Sequence, residues 1–328
     1  MSLPADSQLR NPVSLQFHQG TVLYLNGLVG GARQRYPKRE WQRVLANFSL
    51  VCWCRPDGRR ISAAIIGPCP VANVTITEIF FDCDNTLVLS EELAFEACAD
   101  LTNEILESRG IPDRYTGEQL IQDFVGQNFR GMMVSLQAKY GFEMPQEELE
   151  AFVKKEEDKV IAKLEAKAQP CVGANEELEK LYKAKKYHLA VVSSSALRRV
   201  QASIKKVGQD KFFDEDMVFS AATSLPKPTS KPDPAIYLHA LEKCNKKPEE
   251  TVTIEDSKSG ALSAIRAGIH VIGYVGSYPG DEKKVEMAKL LKELGAEVIM
   301  KDWSEFQDCL SQIERLEQAS QPTRHRLS

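Results

Sequence analysis

No stretch of this 328-residue chain offers the run of about 18 apolar residues that a membrane helix requires, which argues against a spanning helix. The N-terminus lacks the basic start and apolar core of a secretory signal, so a cytoplasmic protein is expected. Neither sign of charge dominates: 42 Lys and Arg face 46 Asp and Glu, a formal net charge of -4. That balance gives no electrostatic reason to expect a nucleic-acid or membrane-surface partner, and small anionic metabolites remain open. The eight cysteines have no paired framework, and a chain of this size does not need disulfides, so reduced thiols fit. Cys52, Cys54, Cys69 and His18 match no common zinc-ligand spacing.

What the chain does have is enough apolar residue, 43%, to bury an ample interior. Residues 1–75 carry nine Lys and Arg against three Asp and Glu, and the remainder carries 33 against 43. That shift marks a boundary. The first segment reads as an N-terminal extension of uncertain order, with "GTVLYLNGLVGG" and "RRISAAIIG" as short-strand candidates and organellar import as a secondary reading. From Thr75 onward, short β-branched or apolar runs alternate with helical stretches, which predicts an α/β fold with a parallel sheet flanked by helices. "TEIFFD", "HLAVVS", "DMVFSA", "TVTIED", "HVIGYV" and "AEVIM" read as its strands, each apolar throughout because both faces are to be covered.

Between the first two strands, residues 92–169 read as all helical. Leu93, Ala97, Leu101 and Ile105 form one stripe, and Thr116 opens a capping box with Gln119. The Glu/Lys-rich segment after Pro145 reads as a helix with a solvated face. The core is expected to span 76–91 and 170–316, followed by a tail at 317–328, the whole being a monomer.

Four short motifs fall at the carboxyl ends of predicted strands, where open α/β sheets place their sites. They are Asp82, Asp84 and Thr86 in "FFDCDNTLV"; Ser193 and Ser194 closing "HLAVVSSS"; Lys231 in "SKPDPAIY"; and Glu255 and Asp256 closing "TVTIED". Each piece alone is ordinary, since Asp-x-Asp and Lys-Pro are common in turns and Asp-Ser often caps a helix. In this order, each after an apolar run, they resemble the haloacid dehalogenase-like hydrolases. The subgroup implied carries a helical cap after the first strand and includes sugar-phosphate phosphatases and β-phosphoglucomutases. The resemblance implies a Rossmann-like parallel-sheet core with an inserted all-helical cap domain.

The residue chemistry suits phosphoryl transfer. Asp82 and Asp84 alternate onto the same side of an extended chain and repel unless a cation intervenes. Mg²⁺ prefers oxygen ligands and needs one or two carboxylates, which Asp82, Asp256 and Glu255 can supply. Lys231 offsets the excess carboxylate, and the hydroxyl of Ser193 with its neighbours, Ser194 included, can donate to phosphate oxygens. The resemblance further implies that the backbone carbonyl of Asp84 completes the metal site. It also implies that Asp82 is the nucleophile forming an aspartyl-phosphate and Asp84 the general acid and base. Lys227 competes with Lys231, but "KPDPAIY" runs into a helix as the family motif does. Cys83 is expected on the opposite face and Thr86 in a local hydrogen bond, while Asn85, where the family commonly has Gly, tolerates the turn conformation.

Within the cap, "DFVGQNFRGMM" resembles the family's cap loop, with Gly126 at the turn and Gln127, Asn128 and Arg130 able to reach a leaving group. β-Phosphoglucomutases carry a histidine on the first cap helix, where this chain has Ala94, and none of its five histidines lies in 92–169. A phosphatase acting on a small phosphorylated metabolite therefore leads over a mutase. A pseudoenzyme would have lost a motif residue, and a phosphorylated receiver would lack the cap.

Overall fold

Residue alternation through the strand Glu78–Phe81 decides how the sheet sits. The structure, a computed structural model, describes residues 49–54, 60–66, 75–124 and 127–320, and the chain divides into two units, Met1–Pro70 and Val71–Ser328. In the first unit, β1 (Ser49–Cys54) and β2 (Arg60–Ile66) pair antiparallel, so the "RRISAAIIG" strand is present. The "GTVLYLNGLVGG" candidate lies outside the described residues.

The second unit runs β3 (Glu78–Phe81), β4 (Val88–Leu89), α1 (Glu91–Ser108), α2 (Gly117–Asp123), α3 (Phe129–Tyr140), α4 (Gln146–Lys167) and β5 (Gln169–Pro170). It continues α5 (Ala174–Ala184), β6 (His188–Ser193), α6 (Leu197–Lys206), β7 (Val218–Ser220), α7 (Ala235–Cys244), β8 (Thr251–Glu255) and α8 (Lys258–Arg266). It closes with β9 (His270–Tyr274), α9 (Asp281–Leu294), β10 (Val298–Met300) and α10 (Phe306–Ser320). The six expected strands form one parallel sheet in the order β10-β9-β8-β3-β6-β7. This is an α/β fold of the Rossmann type, with β3 central and buried on both faces. Ile79, Phe81 and Cys83 enter one apolar cluster with Trp303 and Phe306, whereas Phe80 enters the other with Ile236 and Tyr237. Cys83 thus lies in packing, away from the aspartates, as its parity predicts.

A two-stranded ribbon that the sequence reading missed, β4 against β5, carries the chain out to the helical segment and back. Each strand has only two residues, too few to show a period. Helix α1 divides its apolar stripe: Leu93, Ala94 and Ala97 pack on the sheet's cluster, while Leu101 and Ile105 join a separate one with Leu120, Phe129, Met133 and Leu136. The capping box forms at Thr116 and Gln119. The lysines of α4 are not simply a solvated face. Lys159 reaches Glu104 at 3.1 Å, Lys163 reaches Asp100 at 2.8 Å and Lys167 reaches Glu96 at 3.0 Å, with Lys155 also on Glu104, tying α4 to α1. Such exposed pairs each add at most about 1 kcal/mol, but their regular spacing sets the register of the two helices.

Among the described residues no helix is long and apolar enough to cross a membrane. The loop leaving β3 is braced from below by Trp303, whose Nε1 donates to the Thr86 carbonyl at 3.2 Å. Gln209 Nε2 donates to the Leu87 carbonyl at 3.1 Å, and Cys171 N to the same carbonyl at 2.9 Å. Replacing Trp303 by Phe retains much of the ring packing but orphans the buried Thr86 carbonyl. Equilibrium urea unfolding is expected to show a loss of about 1–3 kcal/mol.

Candidate active site

Phe81 pairs with Val191 on one side and Ile254 on the other, so β3, β6 and β8 end together. Asp82 N still donates to Ile254 O at 3.1 Å, extending the ladder by one residue. The strand order reverses between β3 and β8, which opens a crevice at their carboxyl ends. Asp82, Ser193, Glu255 and Asp256 all stand there, each buried.

Lys231 enters from the segment between β7 and α7 and is also buried. Its Nζ donates to Asp82 Oδ1 at 2.6 Å, Glu255 Oε1 at 2.6 Å and the Val192 carbonyl at 2.7 Å, which uses all three of its protons. Its backbone N–H donates to Ser194 Oγ at 3.1 Å, so Ser194 positions the lysine backbone. Lys227, the other lysine considered, is exposed. Tyr237, on α7, donates its phenol to Glu255 Oε1 and completes the cage.

Three carboxylates, Asp82, Glu255 and Asp256, place ligand oxygens within 4.8 Å of one another. Burial opposes the charge of Lys231, but Asp82 and Glu255 outweigh it and hold the ammonium well above its usual value. One ammonium cannot do the same for every carboxylate. Burial pushes Asp82 up to about 8 against Lys231, with Glu255 and Asp84 adding to the rise. Asp256 is likewise driven up by burial, then by Asp82 and Glu255. When ionised, the group carries two negative charges more than Lys231 neutralises, and Glu255 Oε2 has no hydrogen-bond partner among the described residues. A divalent cation matches both the charge and the oxygen donor set.

The Asp84 side chain faces hydroxyls instead. Ser90 Oγ donates to its Oδ1 at 2.5 Å, and Ser195 Oγ and Ser193 Oγ donate to its Oδ2 at 2.7 and 3.3 Å. Ser90 and Ser195 were not singled out from sequence, nor was Tyr237. The serine run was visible, but which hydroxyl meets Asp84 was not. Asn85 takes the left-handed conformation, φ 57°, as its substitution for Gly requires. Thr86 departs from expectation: its hydroxyl is buried without a partner among the described residues, and the strand exit is held by its carbonyl.

Each of the three candidate residues of the insertion has a hydrogen-bond partner within it. Asn128 Oδ1 accepts from Gly131 N at 2.9 Å and so caps α3. Arg130 forms a bidentate pair with Glu150, its Nη2 at 2.7 Å from Oε2, and Gln127 Oε1 accepts from Ser135 Oγ at 2.9 Å. These bonds all stay inside the insertion. Gly126 lies outside the described residues.

With this geometry in place, similarity to known proteins becomes decisive. The family model for haloacid dehalogenase-like hydrolases matches residues 79–274, which includes every strand-tip residue above. The chain belongs to the haloacid dehalogenase-like hydrolases. It is 34% identical over 224 residues to a phosphorylated carbohydrates phosphatase of Thermotoga maritima, covering 68% of this chain and 93% of that protein. It is 28% identical over 197 residues to 6-phosphogluconate phosphatase of Escherichia coli, covering 60% and 81%. A crystal structure of a putative β-phosphoglucomutase from Thermotoga maritima superposes with a TM-score of 0.53 at 28% identity, over 75% of this chain and all of that one.

This hydrolase depends on one glycine that the sequence reading passed over. A Cβ on Gly260, in the first turn of α8, would lie 1.7 Å from Glu255 Oε2. Gly260→Ala must therefore displace the carboxylate that Lys231 and Tyr237 hold. Thermal and urea denaturation are expected to show a loss of at least about 2 kcal/mol, well beyond what alanine at an open helical glycine would produce.

Proposed function

We propose that this hydrolase is a Mg²⁺-dependent phosphatase of small phosphate monoesters, sugar or polyol phosphates, acting through an aspartyl-phosphate on Asp82. The observation that carries the reading is the buried trio Asp82, Glu255 and Asp256 with a single lysine among them. Similarity to a phosphorylated carbohydrates phosphatase and to 6-phosphogluconate phosphatase supports the substrate class.

Asp82, Glu255, Asp256 and the Asp84 backbone carbonyl would hold the cation, which when bound offsets the negative charge of phosphate and carboxylates. Lys231 pins one oxygen of Asp82, leaving the other as the attacking atom aimed at phosphorus. As that oxygen forms its bond to phosphorus, the ester P–O bond breaks and Asp84 gives its proton to the departing oxygen. Water then attacks the phosphorus, losing a proton to Asp84 as the bond to Asp82 breaks, which releases phosphate and restores both carboxyl groups. The Ser193 hydroxyl and backbone N–H groups beside it hold the phosphate oxygens.

The helical insertion is proposed as the cap that covers this site and selects the substrate. Gln127, Asn128 and Arg130 are the substrate-facing candidates of its loop, each also bonded within the insertion. The absence of histidine from the insertion favours the phosphatase over the mutase. The partner is a phosphorylated metabolite and the proposed setting cytoplasmic.

Phosphate release over a panel of sugar and polyol phosphates with Mg²⁺ tests the reading. Asp82→Asn is expected to lower kcat by more than about a thousandfold, and equal turnover by wild type and variant would sink the assignment. EDTA should abolish activity and added Mg²⁺ restore it. Formation of glucose 6-phosphate from β-glucose 1-phosphate would instead favour the mutase.

A further inference from the structure

Asp84 is held from two sides, by a residue six positions along the chain and by one 111 positions away. Ser195 follows β6, 111 residues along the chain, and donates to Oδ2 at 2.7 Å. Ser90 follows the β4 ribbon strand, immediately before α1, and donates to Oδ1 at 2.5 Å. The Ser90 hydroxyl is also 3.3 Å from the Val88 carbonyl, but its single proton is directed to the nearer carboxylate oxygen. Ser90 is buried, so no water competes readily for that bond. The backbone at Ser195 is itself fastened, because Ser220 Oγ at the end of β7 donates to the Ser195 carbonyl at 2.7 Å.

Ser193 contributes a third, longer contact to Asp84 at 3.3 Å. A hydroxyl has one proton, so Ser193 can serve Asp84 or a bound phosphate but not both at once. Once phosphate takes Ser193, the orientation of Asp84 rests on Ser90 and Ser195. We infer that Ser90 and Ser195 are positioning residues that aim Asp84 at the leaving-group oxygen, and that Ser90 does so from the stem of the helical insertion. The stem location gives the insertion a direct hold on the acid–base residue: a shift of the β4–β5 ribbon moves the donor to Oδ1. This inference rests on the phosphatase reading, in which Asp84 transfers the proton.

The leaving group separates positioning from a structural role. Para-nitrophenol departs readily as an anion and needs little help from an acid, whereas a sugar or polyol oxygen must be protonated as it leaves. Ser195→Ala and Ser90→Ala are therefore assayed separately on para-nitrophenyl phosphate and on the alkyl phosphate that wild type hydrolyses fastest. The expected result is a fall in kcat/KM of about tenfold or more on the alkyl phosphate, and of less than about threefold on the aryl one, following the pattern of Asp84→Asn. Circular dichroism establishes that each variant is folded, and if one is not, the other decides. Equal losses on both substrates by a folded variant, or no loss on either, would overturn the inference. Neither result would touch the phosphatase reading, which stands or falls with Asp82→Asn.

Discussion

The Lys231 ammonium, buried among Asp82, Glu255 and the Val192 carbonyl, organises everything around it. Taking an ammonium and a carboxylate out of water costs several kcal/mol each, recovered only when partners are close and fully used. All three protons of Lys231 are committed, and Tyr237 supplies a further donor to Glu255. Among the described residues Asp256 has no such cation of its own, and burial leaves both it and Asp82 poorly disposed to ionise. The core therefore builds a site whose unmet charge matches a divalent cation. Stability and chemistry draw on the same residues, which is why a methyl group at Gly260 would disturb both.

Sheet order makes that convergence possible. Because β3 lies between β6 and β8, three segments far apart in the chain end at one edge in register. The neighbouring crossovers place Lys231 above that edge. The helical insertion leaves the core through a short ribbon and carries its own apolar cluster, although α1 contributes to both clusters. Asn128 and Arg130, expected to face a substrate, also build the insertion, as a helix cap and an ion pair. Their polarity alone does not separate those duties from substrate binding.

Legibility varied with the range over which the deciding interaction acts. The six strands were readable because burial on both faces demands continuous apolar runs, and the capping box at Thr116 because it closes within four residues. The β4–β5 ribbon was not, since two residues cannot display alternation. The lysines of α4 were read as a solvated face, yet their partners lie on α1, some 50 or more residues away. Thr86 was expected to use its hydroxyl, but Trp303 reaches its carbonyl from the far end of the chain.

From sequence alone the protein's donor set, its order along the chain and the face on which Asp82 lies were determined, because side-chain chemistry and the two-residue alternation of a strand are local properties. Tertiary structure alone decided that Lys231 is buried against Asp82, that Tyr237 serves Glu255, and that Ser195 closes on Asp84. Those outcomes depend on which strand tips become neighbours. A hydrogen bond that spans a hundred residues is set by packing and register, and leaves no spacing for a reader of the sequence to find.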